Sequence, residues 1–465
     1  MMPLRPYQAG GVEFLRSRPR SFLGDEPGLG KSRQLIEASQ GDTLVVAPAM
    51  VLDGGTWDEE IERWADDPSR FTTVSYSGTT LREKVGRGHR PSKTLIPQVN
   101  RHWDTLILDE AHYVKNGRAT RTEAVVKIAR KSDRVMLASG TPIPNWPQEL
   151  FTLLQILHPK EAKPGQRYGS RWRWIEQWFD TRPNHYNPRA TDVVGLAGCT
   201  EICGERPATD PCEHYMAFAA ENLDGVFLQR LRDEVLTDLP PLTEQTIEVR
   251  MTPEQGKIYR QIKTKFAAMV DDDPVVAWSS AAKHVMLDRA TTGIGVMMDE
   301  PTAKHSGKLN RLKFDLEQRD RPTLVVAHYQ ASVEAAAAVA RETGRRAVTV
   351  HGGISRSVRG KAVQDFKDGK VDVLVGSLET IAEGLTLTQA DMVIFLEQSY
   401  KPSRNQQALR RIHRLGQTRP CVALNYVCVT ERGNPTIDGG KRTLLQTKTD
   451  LQMRTLTAAQ LLAVS

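Results

Sequence analysis

The chain has 465 residues, of which 39% are hydrophobic and 26% charged, a size and composition that predict a globular protein of at least two domains. No stretch approaches the roughly 18 apolar residues of a membrane helix, and the N-terminus lacks a secretory signal, so we expect no membrane contact and a cytoplasmic protein, or a nuclear one if eukaryotic. The formal net charge of +7 mildly favours a polyanionic partner, and five cysteines without a signal peptide argue against a disulfide scaffold.

Short apolar runs rich in β-branched residues recur in two series, and each run is followed by a turn and a helix-like stretch. Near-continuous apolar strands separated by helices are typical of a parallel sheet that is covered on both faces. The sequence therefore predicts an α/β fold with two parallel-sheet lobes. The runs are Thr43–Ala47, Thr105–Leu108 and Arg134–Ala138 in the first half, and Thr323–Ala327, Ala347–Val350, Val371–Val375 and Met392–Leu396 in the second.

The region between the two series has a different composition. Residues 159–224 are rich in Arg, Trp, Pro, Gly and Cys and show no strand pattern, whereas the stretch after them is helical in pattern, as in Glu254–Val270. We therefore expect a first lobe at 1–158, an insertion and helical region at 159–305, and a second lobe at 306–465.

The strongest local signal is the glycine-rich segment Asp25–Ser32, DEPGLGKS. Gly28 and Gly30 let backbone N–H groups face phosphate oxygens, and the helix that follows directs its positive end at them. Lys31 supplies charge to the terminal phosphates of a nucleotide, and Ser32 supplies an oxygen to Mg²⁺. Because the strict pattern has glycine where this chain has Asp25, the segment alone leaves a coincidental match open.

Two further motifs of the first half lie where strand runs end. Asp109 and Glu110 are adjacent carboxylates, and we predict that Asp109 holds Mg²⁺ through water while Glu110 polarises the attacking water. After a phosphate loop, this pair predicts ATP hydrolysis rather than an ordinary charged strand end. Ser139 and Thr141 follow the next run, and we predict that they couple the state of the nucleotide to the second lobe, although an isolated SGTP segment is an ordinary turn.

The second half carries the segment Gln407–Gln417, QALRRIHRLGQ. Arg411 and Arg414 are three residues apart, a spacing that places both on one face of a helix. Guanidinium groups that reach a nucleotide can neutralise charge that develops on the transferred phosphoryl group. Without the first-half motifs, the same residues would indicate a solvated basic helix.

Together these motifs resemble those of superfamily 2 helicases, and within them the Swi/Snf-like ATPases. Asp109–His112 with Lys115 and Asn116 is similar to the family's DEAHxxKN motif, and DEPGLGKS is similar to DEMGLGKT. The other segments that carry the resemblance are Leu4–Gln8, Val45–Pro48 with Trp57, Glu60 and Trp64, Leu236–Pro241, Val350–Gly353, Glu383–Leu387 and Gln407–Gln417.

The resemblance implies two RecA-like lobes, ATP and Mg²⁺ as cofactors, and a compact bacterial or phage-type motor. It implies nucleotide contacts by Arg5, Gln8, Gly384 and Gln417, and movement along double-stranded or branched DNA without necessary strand separation. A strand-separating DNA or RNA helicase is the alternative. A non-motor DNA-binding scaffold with a regulatory nucleotide site would predict a damaged catalytic residue, whereas all are present: Lys31, Asp109, Glu110, Arg411 and Arg414.

A cluster of soft ligands lies in the middle region, where the resemblance gives least guidance. Cys199, Cys203, Cys212 and His214 form a set that structural zinc prefers, although three residues between the first two cysteines is an unusual spacing. A zinc site and a loop of unligated thiols both remain open.

Two other features of the sequence have an interpretation in packing. Trp174 and Trp178 have the spacing of a helix stripe that faces a core, whereas DNA contact by the arginines of Arg167–Trp174 stays open. Cys421 and Cys428 lie in a strand-like run and are predicted to be packing residues.

Overall fold

The chain divides into two compact units, of which unit 1 comprises Met1–Thr237 and Lys448–Ser465 and unit 2 comprises Asp238–Thr447. The computed structural model describes residues 3–53, 55–85, 88–183, 191–199, 203, 210–235, 239–270, 273–382, 385–414 and 416–464. Within these ranges, no helix combines the length and the apolar character that crossing a membrane requires.

Unit 1 is built on a six-stranded parallel sheet. Its strands are β1 (Arg20–Leu23), β2 (Thr43–Ala47), β3 (Phe71–Ser75), β6 (Trp103–Leu108), β7 (Ser132–Ala138) and β10 (Phe227–Leu228), in the spatial order β10-β1-β7-β6-β2-β3. Two antiparallel hairpins, β4 (Thr80–Val85) with β5 (Gly88–Leu95) and β8 (Phe179–Pro183) with β9 (Thr191–Leu196), lie outside this sheet.

The helices of unit 1 mostly follow the strands, as parallel connections require. They are α1 (Pro6–Arg16), α2 (Lys31–Ala38), α3 (Ala49–Asp53), α4 (Thr56–Trp64), α5 (Thr120–Ala129), α6 (Leu150–Leu157), α7 (Arg171–Trp178), α8 (Glu213–Asn222) and α9 (Arg232–Val235). Short 3₁₀ turns occur at Pro68–Arg70, Ala111–Val114 and Pro147–Glu149.

Unit 2 contains a second six-stranded parallel sheet. Its strands are β11 (Leu242–Arg250), β14 (Thr323–Ala327), β15 (Ala347–Val350), β16 (Val373–Ser377), β17 (Met392–Phe395) and β18 (Cys421–Val429), in the spatial order β11-β18-β17-β14-β16-β15. A separate hairpin pairs β12 (Ala267–Val270) with β13 (Asp273–Val276).

The helices that begin in unit 2 complete the second α/β layer structure. They are α10 (Pro253–Lys265), α11 (Ser280–Thr292), α12 (Ile294–Met297), α13 (Gly307–Glu317), α14 (Gln330–Glu342), α15 (Arg356–Lys367), α16 (Leu378–Ala382), α17 (Pro402–Leu409) and α18 (Ile437–Val464). The part of α18 from Lys448 onward belongs to unit 1.

Both sheets are covered on their two faces, which explains the apolar strand runs. Successive residues of β2 alternate between two cores: Val45 packs in a cluster with Trp57, whereas Val46 packs in a cluster with Trp103. In unit 2, Val325 and Leu324 of β14 alternate in the same way. The prediction of an α/β fold with two parallel-sheet lobes is therefore confirmed.

Several element bounds differ from the sequence-based prediction. The run Val371–Val375 becomes a strand at Val373–Ser377. The helix predicted over Glu254–Val270 ends at Lys265, where Phe266 has a φ of 58°, and Ala267–Val270 forms β12. The region 159–224, which showed no strand pattern, contains the hairpin β8–β9. These strands were missed because they are short or half exposed, so their alternation is weak.

The structure distributes the predicted middle region between the two units. Residues 159–237 fall in unit 1 and residues 238–305 in unit 2. Residues 238–305 belong to unit 2 because they begin with β11, which pairs with β18 along its whole length. The pairing runs from Leu242 opposite Cys421 to Arg250 opposite Val429.

Candidate nucleotide site and family membership

The predicted phosphate loop connects β1 to the N-terminus of α2. Gly28 and Gly30 have φ values of 92° and 69°, and Gly30 immediately precedes the helix. Lys31 begins α2, and its Nζ donates to the carbonyl oxygens of Asp25 at 2.7 Å and Glu26 at 3.2 Å. Ser32 is the second helical residue. Left-handed backbone before a helix N-terminus is the geometry that turns N–H groups towards a phosphate.

Asp25, the residue that departs from the strict glycine pattern, has a structural role in unit 1. Its side chain is fully buried and accepts hydrogen bonds from the backbone N–H of Arg230 at 3.1 Å and from Arg230 Nε at 2.9 Å. Gln34 Nε2 donates to the same carboxylate at 3.2 Å. Asp25 therefore fixes the start of the loop through an ion pair with a residue 205 positions away.

Gln8, for which the resemblance predicts a nucleotide contact, lies against the phosphate loop. Its Nε2 donates to the carbonyl of Leu29 at 3.4 Å, and its Oε1 accepts from the backbone N–H of Arg5 at 3.1 Å. A Cβ on Gly30 would lie 2.5 Å from Gln8 Nε2, so a larger residue could not replace this glycine without displacing Gln8. Arg5 is the exposed residue that precedes α1.

Asp109 and Glu110 follow β6 directly. The backbone N–H of Glu110 donates to Asp109 Oδ1 at 2.9 Å, and Trp57 Nε1 donates to Asp109 Oδ2 at 2.9 Å. Glu110 has a φ of 49°, a left-handed conformation that is uncommon for a residue with a side chain. The tight turn and the indole therefore fix the orientation of the Asp109 carboxylate.

Ser139 connects the carboxylate motif to the predicted coupling motif. Its Oγ donates to Glu110 Oε2 at 3.1 Å and lies 3.0 Å from His112 Nδ1, which itself is 3.2 Å from Glu110 Oε2. The backbone N–H of Thr141 donates to the same hydroxyl at 3.1 Å. A Cβ on Gly140 would lie 3.4 Å from Lys31 Nζ, so this motif also adjoins the phosphate loop.

The two carboxylates differ in their electrostatic environment. Burial raises the pKa of Asp109 to about 6, and the adjacent Glu110 charge acts in the same direction. Burial also acts to raise the pKa of Glu110, but the hydrogen bond and charge of His112, with the charge of Lys31, lower it to about 2. Glu110 is therefore ionised at neutral pH, and its side chain keeps 31% of its surface exposed to water.

The second-half arginines do not lie on a helix, which corrects the prediction of one helical face. Helix α17 ends at Leu409, and Arg411 and Arg414 lie in the turns that follow. A guanidinium N–H of Arg411 donates to the carbonyl of Ala382, and Arg414 donates to Thr386 Oγ1 at 2.8 Å. These contacts anchor both side chains at the segment Glu383–Leu387, one of those that carry the resemblance.

Gln417 is buried within unit 2, where its amide fastens a turn. Its Nε2 donates to the carbonyl oxygens of Thr388, Ala390 and Ile412, and its Oε1 accepts from the backbone N–H groups of Thr418 and Arg419. The side chain that was predicted to contact the nucleotide is thus fully engaged in intramolecular hydrogen bonds. Gly384, the other predicted contact of this unit, lies outside the described residues.

The Cys/His cluster comes together in unit 1. The ligand atoms of Cys199, Cys203, Cys212 and His214 all lie within 4.8 Å of one another. Cys199 Sγ is 3.3 Å from Cys212 Sγ, and Cys203 Sγ is 3.2 Å from His214 Nδ1. The convergence of three thiols and an imidazole at this scale matches the donor set of a metal site.

The residues interpreted as packing groups lie in the cores. Trp174 is buried, with its Nε1 donating to Asn222 Oδ1 at 3.0 Å, and Trp178 packs on the same cluster. Arg167, for which the sequence left DNA contact open, donates to the carbonyl of Glu221 at 2.7 Å. Cys421 and Cys428 are buried in β18.

Comparisons with known proteins decide the family. The SNF2-related domain matches residues 7–293, and the helicase conserved C-terminal domain matches residues 306–416. The chain belongs to the SNF2-related family. This membership confirms the resemblance on which the site residues were predicted, and it associates the chain with ATP-dependent helicases, for which ATP and Mg²⁺ are the expected cofactors.

The SNF2-related chain is similar to longer curated proteins. It is 28% identical over 443 residues to the DNA annealing helicase and endonuclease ZRANB3 of Bos taurus, an alignment that covers 91% of this chain and 38% of that protein. It is 26% identical over 445 residues to the SWI/SNF-related matrix-associated actin-dependent regulator of chromatin subfamily A-like protein 1 of Xenopus tropicalis, covering 91% and 42%. The chain thus spans about two fifths of these relatives.

Among solved structures, the SWI2/SNF2 ATPase core of Sulfolobus solfataricus in complex with dsDNA aligns with 100% of this chain and 95% of that chain. The TM-score is 0.40 and the sequence identity 19%. The fold assignment of this SNF2-related chain therefore rests on its own two sheets.

Sequence reasoning missed several residues that position the site. The partner of Asp25 had no local signal because Arg230 is 205 residues away. Trp57 was noted as part of a resemblance, but its hydrogen bond to Asp109 could not be read from spacing. His112 was part of the DEAH segment, yet its contact with Ser139 required the neighbouring strands β6 and β7.

Proposed function

We propose that this chain is a DNA-dependent ATPase that couples ATP hydrolysis to movement along double-stranded or branched DNA. The observation that carries the proposal is the arrangement at the ends of β6 and β7. There, Glu110, His112 and Ser139 contact one another beside the phosphate loop. Such a set can hold phosphates, orient water and respond to the nucleotide.

The proposed roles in unit 1 follow from position and charge. The N–H groups around Gly30 and the ammonium of Lys31 bind the phosphates of ATP, and Gln8 reads the base. Glu110, which is ionised and reachable by water, orients the attacking water in line with the γ-phosphate. Ser139 then changes its hydrogen bonds when the phosphate leaves, and this is the proposed start of coupling.

The donor set fits Mg²⁺, which would supply charge neutralisation at the β- and γ-phosphates. Hydroxyl and carboxylate oxygens are the ligands that this hard cation prefers, and we assign Ser32 and Asp109 to it. The orientation of the Asp109 carboxylate, which the backbone N–H of Glu110 contacts at 2.9 Å, supports the assignment. Trp57 holds the Asp109 carboxylate for that role.

Arg411 and Arg414 are the proposed contribution of unit 2 to the ATP-bound state. Each guanidinium carries five N–H groups, and the bonds to Ala382 and Thr386 hold the two side chains in place within unit 2. An arginine that acts in this way is worth about 10³-fold or more in rate.

DNA is proposed as the track from the relatives' printed names. One is a DNA annealing helicase and the other a regulator of chromatin, and both align with nearly all of this chain. The formal charge of +7 is compatible with backbone binding, which is salt-dependent and largely blind to sequence. The proposed compartment is the cytoplasm of a bacterial or phage-infected cell, or the nucleus if the source is eukaryotic.

Zn²⁺ is proposed as a second metal of unit 1, separate from the ATP site. Its proposed ligands are Cys199, Cys203, Cys212 and His214. The mutual proximity of these four ligand atoms supports the proposal.

The test measures the ATPase rate without nucleic acid and with single-stranded DNA, duplex DNA, branched DNA or RNA, for the wild type and Glu110→Gln. We expect duplex or branched DNA to stimulate the wild type. Glu110→Gln should lower kcat by about 10²- to 10⁴-fold, because the neutral amide lacks the carboxylate charge that orients and polarises the attacking water.

The matched control is Glu62→Gln, which makes the same chemical change at an exposed position of α4 and should keep the wild-type rate. Stimulation by single strands or RNA alone would contradict a duplex track and favour the strand-separating helicase. Absence of ATPase activity under every condition would contradict the enzyme.

A further inference from the structure

The Cys/His cluster is assembled from three places in the chain. Cys199 follows β9, Cys203 lies four residues later, and Cys212 and His214 flank the first residue of α8. Residues 195–212 contain three glycines and two prolines, a composition that forms little apolar core of its own. Apolar packing within such a segment does not explain why four metal-ligand side chains lie together, so another interaction must hold them.

The distances within the cluster are close to those of a tetrahedral site. With Zn–S bonds of about 2.3 Å, two sulfurs of a tetrahedron lie roughly 3.8 Å apart. The measured Cys199–Cys212 Sγ separation is 3.3 Å, and Cys212 Sγ lies 3.8 Å from His214 Nδ1. A disulfide requires about 2.05 Å between sulfurs, and none of these three cysteines is disulfide-bonded.

We propose that Cys199, Cys203, Cys212 and His214 bind one Zn²⁺ in a closed structural site that secures the docking platform of the C-terminal segment, Lys448–Val464. Three thiolates and an imidazole select zinc over the hard cations Mg²⁺ and Ca²⁺. Four protein ligands leave no position for water, so the site stabilises structure and takes no part in hydrolysis.

The link to the C-terminal segment runs through one continuous core. Cys199 and Cys212 belong to the same buried cluster as Leu451, Leu456 and Ala459 of that segment. A zinc ion at the cluster would fix the start of α8, which forms one wall of this core. The segment therefore packs on a surface whose position depends on the metal.

Tyr215 lies in the core that the Cys/His cluster shares with the C-terminal segment. It follows His214 in α8, is 2% exposed, and packs in the buried cluster that contains Cys199 and Cys212 as well as Leu451 of the C-terminal segment. Other contacts complete the docking: Gln452 Nε2 donates to the carbonyl of Asn145 at 3.0 Å. Losing the metal should release the segment near α8 first.

The first measurement is the zinc content of the full chain, purified under reducing conditions without a chelator. We expect about one zinc per chain, and Co²⁺ in its place should give the visible absorption of a tetrahedral thiolate site. Cys203→Ser and His214→Ala should lose the stoichiometric metal. His102→Ala is the matched control, because His102 belongs to a different, exposed group with Asp104 and Asp133 and should keep the zinc.

The second measurement tests the coupling on wild-type protein, so that it does not depend on variants that fold. Hydrogen exchange is compared before and after removal of the metal by a strong chelator. We expect faster exchange in α8 and in residues 448–464, with β18 of unit 2 unchanged. Restoring Zn²⁺ should restore the protection.

The results separate this inference from the proposed ATPase, because none of the readouts uses ATP or DNA. Absence of stoichiometric zinc in the wild type, or a Cys199–Cys212 disulfide in the freshly purified reduced protein, would overturn the site. Bound zinc whose removal leaves residues 448–464 protected would overturn the docking role.

Discussion

Unit 1 and unit 2 use their motif residues in different ways. In unit 1, side chains from separate motifs contact one another, as Ser139 does with Glu110 and Trp57 does with Asp109. In unit 2, side chains that follow α17 bond instead to the backbone of an earlier segment, as Arg411 does with Ala382 and Gln417 with Ala390. In unit 1, the motif residues therefore form an assembled site by contacting one another. In unit 2, they form a stiffened loop that hydrogen bonds hold in place.

This difference shows that a motif can mark either a chemical group or the support that holds one. A parallel sheet brings the carboxyl ends of adjacent strands to one edge, so residues after β6 and β7 meet whatever their separation in sequence. Turns after a helix have no such frame, and buried hydrogen bonds must fix them instead. The comparison can be tested by removing a support in each unit.

The largest expected effect on stability comes from Asp25→Ala in unit 1. The change leaves Arg230 without its buried partner, and breaking such a pair typically costs about 3–5 kcal/mol. We expect the free energy of unfolding of unit 1 to fall by this amount and its unfolding midpoint to move to a lower denaturant concentration. Denaturant unfolding, followed by hydrogen exchange of β1 and β7, measures it.

The control for Asp25→Ala is Asp42→Ala, which removes an exposed ion pair with Arg101 in the same unit. Exposed pairs contribute about 0–1 kcal/mol, so this variant should stay near wild-type stability. Equal losses in the two variants would contradict a supporting role for the buried pair.

The strands and the chemical groups were predictable from the sequence to different degrees. The runs Thr43–Ala47 and Thr323–Ala327 match β2 and β14 because these strands are buried on both faces and hence continuously apolar. Strand β11 was missed because it is an edge strand with mostly exposed or half-buried residues, and its sequence LTEQTIEVR has few apolar positions.

For the site, the motifs predict which groups would touch ATP, but they gave no signal for the residues that hold those groups in place. Asp25 could be recognised as a departure from glycine, yet its partner Arg230 comes from the middle region, 205 residues along the chain. The helix predicted to carry Arg411 ends at Leu409. The prediction was wrong because periodicity alone does not locate a helix end. Long-range pairing and element ends are properties of the folded chain.

In unit 2, the substitution Gln417→Ala tests whether Gln417 stabilises the fold or binds the nucleotide. The change leaves several buried backbone groups without the amide that bonds to them, a loss that typically costs about 1–3 kcal/mol. We expect unit 2 to lose stability while the KM for ATP stays at the wild-type value. Gln364→Ala, at an exposed position of α15, is the matched control and should change neither.

A different result for Gln417→Ala would break the comparison between the units. If stability is unchanged and the KM for ATP rises, Gln417 contacts the nucleotide as the resemblance implied. Unit 2 would then contribute a chemical group at this position rather than a stiffened loop.

The smallest expected effect is that of Trp57→Phe, which tests the assembled site of unit 1. Phenylalanine keeps an aromatic ring in the core but cannot donate to Asp109. A hydrogen bond to a charged group is worth about 1.5–3 kcal/mol, so a loss at the lower end of this range gives about a tenfold fall in kcat. Steady-state ATPase kinetics over a range of Mg²⁺ concentrations measure it, and we expect excess Mg²⁺ to recover part of the rate.

Trp103→Phe is the control that distinguishes positioning from stability. Trp103 is equally buried in unit 1, and its Nε1 donates to the carbonyl of Val99 at 3.2 Å, away from the carboxylates. Both variants lose a buried indole hydrogen bond, but only Trp57→Phe should alter kcat and its dependence on Mg²⁺. If both lower kcat alike, the effect of Trp57 is one of stability alone, and the orientation of Asp109 does not depend on the indole.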